Sequence, residues 1–186
     1  MILLQKLKKE QMENIQIDYG IVILNYGEED AERLGPTKGG AEFNATKNIR
    51  DIEFDGAMGK TKGMQVIDEM DASLKFSILD TSLSTLAKTM PQADYDGVAK
   101  IIKNGAGGAI PASKYFKNIT MFAKTMKGTY KKITLYNAMN ESDFVLSSAP
   151  KAEGEIALEV FAHWDPEEVE ENLYSIEDVT SISEPA

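Results

Sequence analysis

A mainly β domain with one α-helix and a long glycine-rich insert is the fold class that the sequence predicts, and three observations predict it. Residues 70–79, MDASLKFSIL, alternate strictly: Met70, Ala72, Leu74, Phe76 and Ile78 fall on one face, Asp71, Ser73, Lys75 and Ser77 on the other. Residues 131–166 repeat the pattern twice. Ile133, Leu135 and Asn137 oppose Thr134, Tyr136 and Ala138; Ile156, Leu158, Val160 and Ala162 then oppose Ala157, Glu159, Phe161 and His163. The polar segments NESD and SSAPKAEG separate these runs, so the stretch reads as a β-meander. The third observation is residues 35–68, where Gly35, Pro36, Gly39, Gly40, Gly56, Gly59 and Gly63 punctuate a charged run. The predicted sheet core is Leu74, Phe76, Ile78, Ile133, Leu135, Leu158 and Val160.

The elements follow in order. Residues 1–14 form an arm in which Leu3, Leu4, Leu7 and Met12 alternate with Lys6, Lys8, Lys9 and Glu10, too short for a stable isolated helix. Residues 15–24 read as a strand with Ile15, Ile17, Tyr19, Ile21 and Ile23 on one face and a bend at Gly20. Residues 35–68 hold only strand-like pieces, at 41–45 and 49–54, and so long an irregular insert in a compact domain implies a function. After the central strand at 70–79, Asp80 or Thr81 caps a helix over 81–90 with Leu83, Leu86, Ala87 and Met90 facing inward, and Pro91 ends it. Residues 98–102, 115–124 and 129–138 read as further strands. The domain is expected to run from 15 to 166, followed by an acidic tail over 167–186.

At 186 residues the chain suits one domain with extensions. It has no cysteine, hence no disulfide or thiolate site, and a single histidine, His163, so neither a metal nor another cofactor is expected. No apolar run approaches the roughly 20 residues of a membrane helix, so membrane insertion is not expected, and the chain reads as made and kept in a cytoplasm. The net charge of -10 is unevenly spread. Residues 141–186 carry 13 acids and one base, whereas residues 97–140 carry eight lysines and no acid. That split implies complementary faces, read either as solvated strand faces with an acidic solubilising tail or as copies meeting basic face to acidic face. A nucleic-acid site on the lysines is the weaker reading, because arginine is scarce and the whole molecule is acidic.

Motifs for chemistry fail on spacing. Gly59-Lys60-Thr61 ends like a phosphate-binding loop, but the glycine required five residues earlier is Phe54. Asn104-Gly105-Ala106-Gly107-Gly108 runs into Ile110-Pro111, so no helix opens there to receive a pyrophosphate. His163-Trp164-Asp165 lacks a nucleophile, and Asp68, Glu69 and Asp71 lie on alternating faces of one strand. An enzyme is not expected.

The order of arm, strand ending LNYGEEDAERLGPTKGGAEF, charged glycine-rich insert, strand MDASLKFSILD, helix TSLSTLAKTMP and the closing ITLYNA and EGEIALEVFAHWDP resembles a bacteriophage major tail protein. This is the tail tube subunit of phages and prophages of Gram-positive bacteria, and the resemblance spans residues 18–166. It implies a tail-tube-type β-sandwich or barrel with one flanking helix, six copies closing into a ring, and rings stacking into a tube whose lumen conducts DNA. It also implies that long hairpins of neighbouring subunits join into an inner barrel, and that the insert contacts the next ring through Lys38, Lys47, Arg50, Asp51, Glu53, Asp55, Lys60 and Lys62. The implied partners are further copies of the chain and the tape-measure, baseplate and tail-terminator proteins. The implied place is the virion tail, assembled in the host bacterial cytoplasm. Two alternatives stand beside it: the tube of a contractile tail, bacteriocin or type VI secretion apparatus, and a monomeric β-domain that binds nucleic acid.

Overall fold

The computed structural model describes residues 8–17, 20–146, 153–168 and 172–183; the expectations for Leu3, Leu4, Leu7 and Tyr19 lie outside them. In chain order the elements are α1 (Lys9–Glu13), β1 (Ile21–Leu24), β2 (Glu32–Arg33), β3 (Thr37–Asp51), β4 (Gln65–Ile78), α2 (Leu83–Thr89), β5 (Ala93–Asp96), β6 (Ile101–Asn104), β7 (Phe116–Lys124), β8 (Tyr130–Asn140), β9 (Ile156–Phe161) and β10 (Tyr174–Val179). Every pairing between these strands is antiparallel.

Two sheets share β8. In the first, the order is β2-β1-β7-β8, with β10 on the far edge of β8; in the second, it is β8-β9-β4-β3. The strand passes from one to the other at Asn137, whose φ of 47° turns the chain. Before that corner β8 pairs with β7 and β10; after it Ala138 keeps one pairing with Phe116 of β7, and Met139 and Asn140 pair with Phe161 and Val160. Between the sheets lies one core. Val22 and Leu24 of β1, Leu74, Phe76 and Ile78 of β4, Ile119 and Met121 of β7, Ile133 and Leu135 of β8, and Ile156, Leu158 and Val160 of β9 all belong to it. The seven residues expected in the sheet core are therefore all buried together, in a mainly β sandwich with a flanking helix.

Several expectations are corrected. The stretch 131–166 is not a meander: β8 and β9 share only two residue pairs, and β9 lies chiefly along β4. The corner at Asn137 shifts the alternation by one, so Ala138, not Asn137, reaches the core. The strand at 15–24 is shorter, with only Gln16 bridging Thr125 before the regular pairing starts at Ile21. Gly20 lies between, where a β-carbon would fall 2.2 Å from Met121 Cγ and 2.9 Å from the Phe122 carbonyl oxygen. Val22 and Leu24 face the core while Ile23 is buried on the opposite side, where Phe122 packs edge-on to Tyr26 at 5.0 Å. Where both faces are covered, alternation loses its meaning. At 98–102 only Ile101 and Ile102 lie in a strand, in the two-stranded pair β5–β6, and Val98 is exposed in the turn.

Residues 167–186, expected as a tail, contribute β10. Its acids meet the lysine-rich strand directly: Lys131 pairs with Asp178 at 2.5 Å and Lys132 with Glu177 at 3.4 Å. Two of the eight lysines of 97–140 are thus paired inside one copy with acids of the C-terminal segment.

The helix is shorter than 81–90 and its cap is Ser82, whose hydroxyl accepts from the Thr85 N–H. Its buried side chains are Thr85, Leu86 and Thr89; Leu83 is exposed and Ala87 and Met90 are half-buried. Asp80 stands just outside, accepting from the Thr85 hydroxyl (2.7 Å) and from the backbone N–H (2.8 Å) and hydroxyl (3.1 Å) of Ser82. The Thr85 hydroxyl first, then the Ser82 N–H, hold this carboxyl below the usual carboxylate range. A carboxylate whose folded pKa is depressed stabilises the fold above its unfolded pKa and loses that contribution as pH falls through the folded value. Asp80→Asn exchanges hydrogen bonds to a charged carboxylate for neutral ones and is therefore expected to cost about 1 kcal/mol at neutral pH. The gap from wild type should close as the solution is acidified below about pH 4, read by urea unfolding at several pH values. A gap independent of pH would contradict this assignment.

Candidate assembly surface

The insert at 35–68 is largely regular. Strands β3 and β4 form one long hairpin, paired from Thr37↔Ile78 at the base to Asp51↔Gln65 near the tip, with a register shift between Lys38 and Ala41, where Gly39 and Gly40 both take positive φ. The base is part of the sandwich, since Leu74, Phe76 and Ile78 are core. From Ala45↔Ala72 outward the hairpin leaves the body, and residues 45–50 and 65–71 are exposed on both faces. At about 3.3 Å per residue this free ribbon reaches roughly 20 Å before its tip.

The ribbon has two unlike faces. Ala45, Lys47 and Ile49 pair with Ala72, Met70 and Ile67, and they continue the face that carries Phe43 and Leu74 into the core. Ile49, Ile67 and Met70 are each about half exposed, and the tip adds Ile52, Phe54 and the fully exposed Met58. Thr46, Asn48 and Arg50 lie on the other face with Asp71, Glu69 and Val66. A second register shift between Asn48 and Ile49 leaves Asp68 as the extra residue, and Arg50 binds it through two hydrogen bonds, Nε at 2.9 Å and an outer nitrogen at 3.3 Å. Glu69 and Asp71 therefore share a face, and Asp68 is taken by Arg50.

Both edges of the ribbon are open among the described residues. Strand β3 ends the sheet, so its outer edge has no partner along its length. Strand β4 is flanked by β9 only from Ser73 to Ile78, and the last bond in that lane runs from the Ala162 N–H to the Ala72 carbonyl at 2.9 Å. Beyond it, a hollow of about 510 Å³ is lined by Ile67, Asp68, Glu69, Met70, Asp71 and Trp164.

The eight residues expected to contact a neighbouring ring are spread along this hairpin. Lys38 is at the base and is bound within the chain by Glu153 (3.1 Å) and Glu155 (3.6 Å); the hydrogen bond it donates to Glu153 holds its pKa above the ordinary lysine value. Lys47, Arg50 and Asp51 are on β3, and Asp51 takes a bond from Gln65 and lies 3.9 Å from Lys60. Glu53, Asp55, Lys60 and Lys62 occupy the tip, where Glu53, Asp55 and Lys62 make no ion pair among the described residues. Sequence reasoning did not single out Trp164 or the exposed Ile49, Ile67 and Met70 as surface features. Their signal was large apolar residues beyond the last core position of an alternating strand.

His163 and the other declined motifs have structural explanations. His163 Nδ1 lies 3.0 Å from the Asn137 carbonyl and Nε2 2.9 Å from Glu141, so the ring holds the β8 corner. Gly59-Lys60-Thr61 is in the exposed tip. Among the described residues there is no cluster of three metal-ligating side chains, and no helix is long and apolar enough to cross a membrane.

No family model matches the chain, and no curated protein matches it. Among solved structures, a chain from the virion of a native gene transfer agent particle aligns with 78% of this chain and 92% of its own length, at a TM-score of 0.42 and 9% identity.

Proposed function

We propose that this chain is a non-enzymatic structural subunit of a phage-type tail tube, closing into rings of six that stack around a lumen conducting DNA. The observation that carries the reading is the free ribbon with two open edges and an apolar face. A two-stranded ribbon is marginally stable alone in water, and long open edges invite uncontrolled pairing unless another chain covers them. A closed barrel of ribbons removes every edge at once. The sequence resemblance adds the ring number, the tube and the tape-measure, baseplate and terminator partners. Against a nucleic-acid-binding monomer stands the pairing of Lys117 with Glu28, Lys131 with Asp178 and Lys132 with Glu177. Negative-stain microscopy and sedimentation of the purified chain at rising concentration test the proposal. Rings or tubes are expected, and a chain that stays monomeric at high concentration and under tail-assembly conditions ends the reading.

A further inference from the structure

We propose that the hollow between the β8 corner and the segment after β9 is a binding site for a neutral sugar, a hexopyranose unit stacked on Trp164 and hydrogen-bonded by Tyr115, Asn137 and Asp165. The site is complete within one copy, so it stands apart from the ring-forming reading.

The hollow measures about 470 Å³, within the roughly 300–1,000 Å³ usual for small-molecule sites. Three separate segments wall it: Tyr115 and Phe116 where β7 begins, Asn137 at the corner of β8, and His163, Trp164 and Asp165 after β9. Part of that wall is fixed from behind. The two ring nitrogens of His163 are taken by the Asn137 carbonyl and by Glu141, and the Tyr115 ring stands at 87° to the imidazole with centroids 5.0 Å apart. The positive φ of Asn137 has a second effect here: the turn that gives its place in the core to Ala138 sets Asn137 at the hollow. Residues held in a sparsely populated backbone region cluster at binding sites.

The lining selects the ligand. Trp164, the single tryptophan, is 42% exposed, and Tyr115 and Phe116 are half-buried. Aromatic faces are electron-rich and attract the weakly positive C–H groups of a pyranose ring. Among the described residues the Tyr115 hydroxyl, the Asn137 carboxamide and the Trp164 indole N–H make no hydrogen bond, and of the Asp165 carboxylate only Oδ1 is used, accepting from the Glu167 N–H at 2.8 Å. Together they offer both donors and acceptors, which suits a row of adjacent hydroxyls. A wholly apolar ligand would strip these groups of water and give them no partner, at a cost for each. An anion, a nucleotide phosphate included, finds no free lysine or arginine among the described lining residues: Lys117 is held by Glu28 at 2.5 Å, with Glu29 and Asp30 close by. An extended peptide needs backbone partners, and the N–H groups of Tyr115, Lys117 and His163 are already bonded to the Ala112 carbonyl, to Asn25 Oδ1 and to the Tyr136 carbonyl.

Titration with the methyl glycosides of glucose, galactose, mannose and N-acetylglucosamine, each also as a short oligosaccharide, tests the site, because Trp164 reports on it directly. At least one of them is expected to shift or quench the Trp164 emission saturably. Tighter binding of the oligosaccharide assigns a glycan chain as the ligand, and equal binding assigns a single sugar unit. Two variants locate the site by calorimetry. Trp164→Ala removes the stacking face, and Asn137→Gly removes the carboxamide while keeping the positive φ that glycine takes freely. Each is expected to weaken binding by about tenfold or more, with circular dichroism and thermal unfolding showing that it is folded. The assignment is overturned if no sugar in the set alters Trp164 or if either folded variant binds as wild type does. It is also overturned if a proline-rich peptide quenches Trp164 and the sugars do not, which would make the hollow a peptide-docking pocket.

Discussion

Excising residues 46–71 and joining Ala45 to Ala72 through an Asn-Gly turn is expected to yield a chain that folds and does not assemble. The excised segment contains no member of the buried core, and the residues on either side of the cut are already opposite one another in the hairpin. Asn-Gly closes tight antiparallel turns because both positions accept positive φ. Shortening a connection also lowers the entropy lost on closing it, by about 0.6 kcal/mol for each halving of length, so stability is expected to hold or rise slightly. Assembly is expected to disappear altogether, since both open edges beyond the body and the apolar stripe of Ile49, Ile67 and Met70 leave together. Sedimentation and microscopy beside wild type at equal concentration measure it. Tubes formed by the excised chain would mean that the copies meet through the sandwich body and that the ribbon has another purpose.

How much of this was readable from the sequence depends on what covers each strand. Strand β4 has one face on the core and one toward water along its base, so the alternation in MDASLKFSIL located Leu74, Phe76 and Ile78 correctly. Strand β1 is covered on both faces, with Val22 and Leu24 in the core and Ile23 buried on the other side, so alternation could not tell which face the core takes. At Asn137 a single residue of positive φ shifts the pattern and sends β8 to a second sheet, which no periodicity over 131–138 announces. The glycines at 35–68 suggested irregularity because they cluster. In fact Gly39 and Gly40 mark a register shift and Gly56, Gly59 and Gly63 belong to the tip, while the residues between pair for the length of the hairpin. The insert stood out in the sequence as a unit, and the eight charged residues picked from it all lie along the hairpin and its tip. The open lane and Trp164 were not recognisable, because they arise from where β9 stops relative to β4, a matter of register between strands about 80 residues apart.

The largest expected loss of stability from one polar side chain is at Asn140, where Asn140→Ala should cost about 3 kcal/mol. Asn140 is buried at the end of β8, and its amide does four things at once. It donates to the Thr89 carbonyl at 2.8 Å and the Ser142 carbonyl at 3.3 Å, and it accepts from the Ser142 hydroxyl at 2.8 Å and the Glu159 N–H at 3.2 Å. The last residue of α2, the end of β8 and the middle of β9 are thereby tied at one point. Alanine would leave the Thr89 carbonyl without this partner inside the protein, and a buried polar group stripped of its partner costs about 1–3 kcal/mol. For a chain of this size that is a fall of about 2–4 °C in Tm per kcal/mol. Asn140→Asp separates hydrogen bonding from volume, because the carboxylate fills the same space but cannot donate. It would point oxygen at two carbonyl oxygens and should be at least as destabilising as alanine at neutral pH. Urea unfolding of both variants decides between the causes: if Asn140→Asp is tolerated while Asn140→Ala is not, packing rather than this bonded knot holds the helix against the corner of the sandwich.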